Sequence, residues 1–237
     1  MTAGASRRVA VLAAVRTPIG RYGGSLRGYR APELGVFAAR AALERSGVAP
    51  TEIEEVVFGH GIQAGVGQNP ARQVLRGSGI PDEVGAVTVN MVCGSGMKAV
   101  HLGEALVRAG DFDRVLVGGM ESMSNAPFLV DGSVRWGVRP GARTLDDSMQ
   151  WDSLIDAYDE HELMGFTGER IAEKFGSPGR TSTGSACAAI CARRRRSPKG
   201  SSTASRSRCR PIPRGGSRVS PGTRGPGPTR RSRGLRS

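Results

Sequence analysis

Acidic residues are missing from the last quarter of this sequence. Residues 177–237 hold 16 of the 34 Lys and Arg and none of the 21 Asp and Glu, so the net charge of +13 divides into −3 over residues 1–176 and +16 over the remainder. A charge this large would ordinarily point to a nucleic-acid or anionic-membrane partner, but here it describes the tail alone. The tail also has no aromatic residue and one leucine, Leu235. It is too poor in apolar side chains to offset chain entropy and is expected to be a disordered basic tail. With nothing to stack on a base, any contact with nucleic acid would be a nonspecific one to phosphates. A nucleic-acid partner is therefore the alternative reading and not the expected one.

Cysteine is nearly absent from residues 1–176, where Cys93 stands alone. That excludes a disulfide framework and fits a reducing, cytoplasmic setting. Cys187 and Cys191 are spaced like a ligand pair, but with Cys209 they find no convincing fourth ligand, so no metal is expected. Long apolar runs are lacking too: none nears the ~18 residues of a membrane span, and no membrane partner is expected. Arg7 and Arg8 ahead of the apolar residues 9–15 imitate a signal peptide, yet Arg16, Thr17 and Pro18 cut the run short. Residues 9–15 read instead as a first buried strand.

What is present alternates between strand-like and helix-like segments, the pattern of a layered α/β domain. Residues 32–46 carry Leu34, Phe37, Ala38, Ala41 and Ala42 at helical spacing and stop at Gly47. Strands are expected at 56–59, 86–92 and 115–117, the last running into Gly118 and Gly119. Short and longer helices are expected at 71–75 and 95–108. Gly103, inside the second of these, costs intrinsic helicity and must be held by packing. From Met120 the alternation gives way to an elaborated loop region with a closing helix at 166–174. Three regions follow: 1–119, an α/β core; 120–176, a partial loop region; and 177–237, the basic tail.

Cys93 sits between an expected strand and an expected helix, with Gly94 and Gly96 beside it. The glycines permit a tight turn. A helix N-terminus favours an anionic nucleophile, and the carboxyl ends of strands in open α/β sheets are where ligands bind. The competing reading is a small buried cysteine. Gly94-x-Gly96 is no dinucleotide fingerprint, since a third glycine and a downstream acid are missing.

Four motifs decide between these readings. Val15-Arg16-Thr17-Pro18-Ile19-Gly20 with Gly23-Gly24-x-Leu26, then Gly67-Gln68-Asn69-Pro70-Ala71-Arg72-Gln73, then Asn90-Met91-Val92-Cys93-Gly94-Ser95-Gly96, and last Gly118-Gly119-Met120-Glu121-Ser122-Met123-Ser124 with Pro127, in this order and spacing, resemble the N-terminal half of the thiolase family. A ketosynthase-type condensing enzyme shares the strand–Cys–helix nucleophile, but the first two motifs favour thiolase. The resemblance implies a layered thiolase-like domain with a mixed sheet and helices, a tendency to form homo-oligomers, and acyl-CoA as the partner molecule. It implies Cys93 as the catalytic residue that takes up the acyl group as a thioester. No cofactor is implied beyond the coenzyme A thioesters that serve as substrates. The acyl group would then be condensed with a second acyl-CoA, or the reverse step would cleave a 3-ketoacyl-CoA.

The family's remaining catalytic residues resemble a Gly-His-Pro motif, a second Cys-x-Gly-Gly-Gly motif and an Asn-Glu-x-Phe segment, none of which occurs after Gly176. His60, His101 and His161 lie in no such motif. The pair Met164-Gly165 is similar to a pantetheine-contacting loop, so Met164 is carried over as a substrate-binding residue. The family's histidine directly before that pair is replaced by Leu163, and His161 is not carried over. The sequence as it stands is therefore expected to be truncated and inactive in the full cycle. One added base after the Gly176 codon, with suitably chosen synonymous codons, turns residues 176–185 into Gly-Ile-Ser-Arg-Glu-Asp-Glu-His-Arg-Phe, which resembles the family. The tail is accordingly expected to be out of frame.

Overall fold

The computed structural model describes residues 7–138, 140–158 and 161–176. The chain divides into two units, Met1–Lys174 and Phe175–Ser237, and the fold below belongs to the first. Disorder and reading frame in residues 177–237, and the cysteine trio there, lie outside the described residues.

Strand β1 (Glu55–Gly59) is the centre of a three-stranded parallel sheet. Its neighbours are β2 (Gly85–Val89) and β3 (Val115–Gly119), in the order β2-β1-β3, with Val57 opposite both Val87 and Val117. A central strand is buried on both faces and reads as a continuous apolar run, and Val56, Val57 and Phe58 have essentially no exposure. Alternation sends Val56 and Phe58 to one face, into a cluster with Ala39, Leu43, Val74, Leu75 and Leu116. Two helices supply that cluster, α1 (Ala31–Ser46) and α2 (Pro70–Gly77). Val57 points to the opposite face, where α3 (Ser95–Ala109) lies across β1 and β3. The result is three layers, helices over sheet over helix.

The helix ends follow from local chemistry. Glu33 reaches back to the Arg30 N–H at 2.6 Å and Pro32 occupies the first turn of α1, while Gly47 closes it in the left-handed region at φ 70°. Asn69 caps α2 by accepting the Arg72 N–H, and its amide donates to the Ala86 carbonyl, so the 67–73 loop is tied to β2. Gly103 is explained by contact: a Cβ there would stand 2.4 Å from Val117 Cγ1. The glycine lowers helix propensity by about 1 kcal/mol and lets α3 settle directly on β3.

Three expectations change. Residues 9–15 form no strand; Val11 is 79% and Leu12 64% exposed. Polar contacts flank the segment, Arg7 to Asp113 at 2.6 Å before it and the Gly23 N–H to Ser124 Oγ at 2.9 Å after it. A strand exists by pairing, and none of the described strands pairs with these residues. The strand expected at 86–92 ends at Val89 and is a half-exposed edge rather than a buried strand. The described core sheet is wholly parallel where a mixed one was expected; antiparallel pairing occurs in a separate ribbon of β4 (Phe128–Leu129) with β5 (Asp146–Asp147). The loop region holds that ribbon, two short 3-10 turns (Met123–Asn125 and Gly132–Trp136), α4 (Ser148–Trp151) and α5 (Met164–Lys174). No helix among the described residues is long and apolar enough to cross a membrane.

Candidate active site

At the carboxyl end of the sheet, three glycines let α3 approach the strand ends. A Cβ on Gly59 would fall 2.2 Å from the Ser95 carbonyl carbon and 2.4 Å from the Gly96 nitrogen; a Cβ on Gly119 would fall 3.0 Å from Gly96 Cα. The first turn of α3 therefore rests on the ends of β1 and β3. The residue before it, Gly94, is the N-cap, and no side chain caps the helix. Backbone N–H groups of a first turn left without a side-chain acceptor favour an anion.

Cys93 directly precedes that cap and is exposed, which removes the reading of a small buried cysteine. Its turn is held by its neighbours. Ser95, 4% exposed, accepts the Met91 N–H at 2.9 Å and donates its hydroxyl to the Val92 carbonyl at 2.6 Å. The Gly94 N–H returns to the Met91 carbonyl at 2.9 Å. Val92 is at φ 47°, a left-handed conformation that a β-branched residue rarely takes. Side-chain direction at Cys93 is thus set by a strained residue before it and a helix after it.

A carboxylate joins the strand ends. Glu121 Oε2 accepts the N–H groups of Gly61 at 3.0 Å and Ile62 at 3.2 Å, and Oε1 lies 3.0 Å from His60 Nε2. His60 is 1% exposed, and its Nε2 lies close to Oε1 without meeting hydrogen-bond geometry, so neither ring nitrogen has a hydrogen-bond partner among the described residues. Burial by itself would raise the Glu121 carboxyl. The His60 contact and the two backbone N–H groups outweigh it and hold the group below the usual carboxylate range.

The residues match a known pattern. The family model described as "Thiolase, N-terminal domain" matches residues 9–188. The chain belongs to the thiolase family. Similarity of this thiolase chain to curated relatives runs over the same part. It is 49% identical over 168 residues to an acetyl-CoA acetyltransferase of Chromobacterium violaceum and 46% identical over 168 residues to one of Pseudomonas aeruginosa. It is 44% identical over 169 residues to a probable acetyl-CoA acyltransferase of Staphylococcus aureus. Each match covers 71% of this chain and 42% of the relative, so the chain spans about two fifths of the length of the curated relatives it matches. The thiolase family match runs to residue 188.

The other residues singled out in the thiolase sequence fall elsewhere. Met164 opens α5, is 52% exposed, and donates its N–H to the Leu154 carbonyl at 2.8 Å; the bonds that place it are separate from those of the Cys93 turn. His101 is on the exposed side of α3. His161 stacks on Trp151 at 5.5 Å. Missed at the sequence level were Gly59, Ser95 and the His60–Glu121 contact. Ser95 was within reach, two residues past the cysteine in a helix-start position. Nothing in the sequence links His60 to Glu121, which are 61 positions apart.

Proposed function

We propose that Cys93 takes up an acyl group from acyl-CoA, the first half of a thiolase reaction. Its thiol sulfur adds to the thioester carbonyl, the C–S bond to coenzyme A breaks, and the coenzyme A thiol leaves with the proton given up by Cys93. One thioester is exchanged for another, so the step is close to balanced and asks mainly for positioning. The observation that carries this reading is an exposed cysteine held at the uncapped start of α3, in a chain of the thiolase family. Met164 remains a candidate for substrate contact.

The second half requires a base beside a thioester carbonyl and donors for an enolate oxygen. The family motifs that resemble those parts are absent from this sequence, and we read this chain as unable to complete condensation or thiolysis on its own. Its cysteine use supports a cytoplasmic setting. Association with a second copy is supported by the edge position of β2 in the described sheet and by exposed apolar side chains on β2, the Cys93 turn and α3, namely Val87, Met91, Met97 and Val100.

The test is incubation of the chain with radiolabelled acetyl-CoA, followed by isolation of the Cys93 peptide. Label is expected on this peptide in the wild-type chain and absent in Cys93→Ala. A wild-type chain that takes no label, or a variant labelled equally, would overturn the reading.

A further inference from the structure

We infer that Asn90 is a positioning residue which, seated on a peptide fixed by Glu121, holds Val92 at positive φ and so sets the direction of Cys93. Both ends of the Asn90 amide are engaged. Oδ1 accepts the Val92 N–H at 2.9 Å, and Nδ2 donates to the Gly61 carbonyl at 2.9 Å. The Gly61 N–H in turn donates to Glu121 Oε2 at 3.0 Å. A continuous relay therefore runs from Glu121, two residues after β3, through Gly61, two residues after β1, to the residue before the nucleophile.

The relay has an identifiable load. At φ 47° the Val92 side chain crowds its own backbone, and a β-branched residue leaves that region unless its surroundings over-determine it. Here both polar groups of the Val92 backbone are clamped, the N–H by Asn90 and the C=O by Ser95. Without the Asn90 clamp, Val92 relaxes toward negative φ, and the next residue, Cys93, swings away from the first turn of α3. The inference rests on the proposed role of Cys93 only for its consequence in catalysis; the geometry stands without it.

The arrangement makes a specific epistatic prediction. Glycine occupies positive φ without strain, so a chain with glycine at position 92 has no need of the clamp. The experiment measures the rate of carbamidomethylation of Cys93 by iodoacetamide, read by mass spectrometry of its peptide in the full-length chain. Asn90→Ala is expected to slow it about fivefold when Val92 is present and less than about twofold in the Val92→Gly background. Glu121→Ala is expected to behave as Asn90→Ala does, while Glu121→Gln, which keeps an acceptor oxygen for Gly61, recovers the rate.

A general loss of stability gives the opposite pattern, because glycine also loosens the unfolded chain and would add to the damage. Asn90→Ala reacting at the wild-type rate or faster, or an equal slowing in both backgrounds, overturns the inference. If Asn90→Ala alone does not fold by circular dichroism, a double variant that folds supports it and one that does not overturns it. Absence of acetyl label on Cys93 with the epistasis intact would sink the proposed acyl transfer and leave this inference standing.

Discussion

Residues 9–15 and strand β1 are two apolar runs of similar make-up with opposite outcomes. Val56, Val57 and Phe58 are the most enclosed residues of the sheet, whereas Val9, Val11 and Leu12 stand exposed. Intrinsic preference separates them only in part, for Val9, Val11 and Val15 favour strands as Val56, Val57 and Phe58 do. What separates them is the number of neighbours. β1 has a parallel partner on each side and helices above and below, while none of the described strands is paired with residues 9–15. An apolar run thus specifies that a segment is suited to a sheet, and the sheet specifies whether it is admitted.

The sharpest way to break this comparison is Gly59→Ala at the end of β1. The new methyl group would meet the Ser95 and Gly96 backbone at 2.2–2.4 Å, and backbone cannot yield as a flexible side chain does. A loss of about 1–3 kcal/mol is expected, read as a lower urea midpoint of the full chain, together with a changed rate of Cys93 alkylation. A stability loss below about 0.5 kcal/mol would mean that α3 does not rest on β1 as described.

A smaller effect concerns the carboxylate that ties the ends of β1 and β3. The Glu121 carboxyl is held below its ordinary range. Its contribution to stability is therefore complete above the unfolded carboxylate range and is lost as pH falls through the lowered folded value. Glu121→Gln is expected to remove part of the acid destabilisation between the ordinary carboxylate range and the lowered folded value, so its thermal midpoint should fall less steeply over that acid interval than the wild type's. Parallel curves would show that another group governs acid unfolding.

The smallest effect is expected in the unpaired segment. Leu12→Ser, at a position 64% exposed, should change stability by less than about 0.5 kcal/mol. A loss as large as that at Gly59 would show that residues 9–15 are buried in solution, and the contrast with β1 would fail.

Much of this fold was legible because its signals are local. Gly47 marks the end of α1 by backbone chemistry that acts within a few residues, and the helices expected at 71–75 and 95–108 lie within α2 and α3. Cys93 was singled out by the four motifs in their order and spacing, since its local setting between strand, glycines and helix left the reading of a small buried cysteine open. The strand expected at 86–92 overran because Asn90 and Ser95 take the backbone groups that a ladder would use, and that competition is invisible in a run of apolar letters. His60 with Glu121, and Gly59 with Gly96, are meetings between distant segments and left no mark on spacing.

The sequence by itself determined the layered class, the helix limits and the cysteine to which the chemistry is assigned, because capping, periodicity and motif spacing are properties of neighbouring residues. Only the tertiary structure decided that 9–15 stays unpaired, that β2 is an edge, that Val92 is held at positive φ, and that Glu121 anchors the strand ends beside His60. Each of these depends on which surfaces meet after the chain has folded, and burial and pairing are settled by contact rather than by composition.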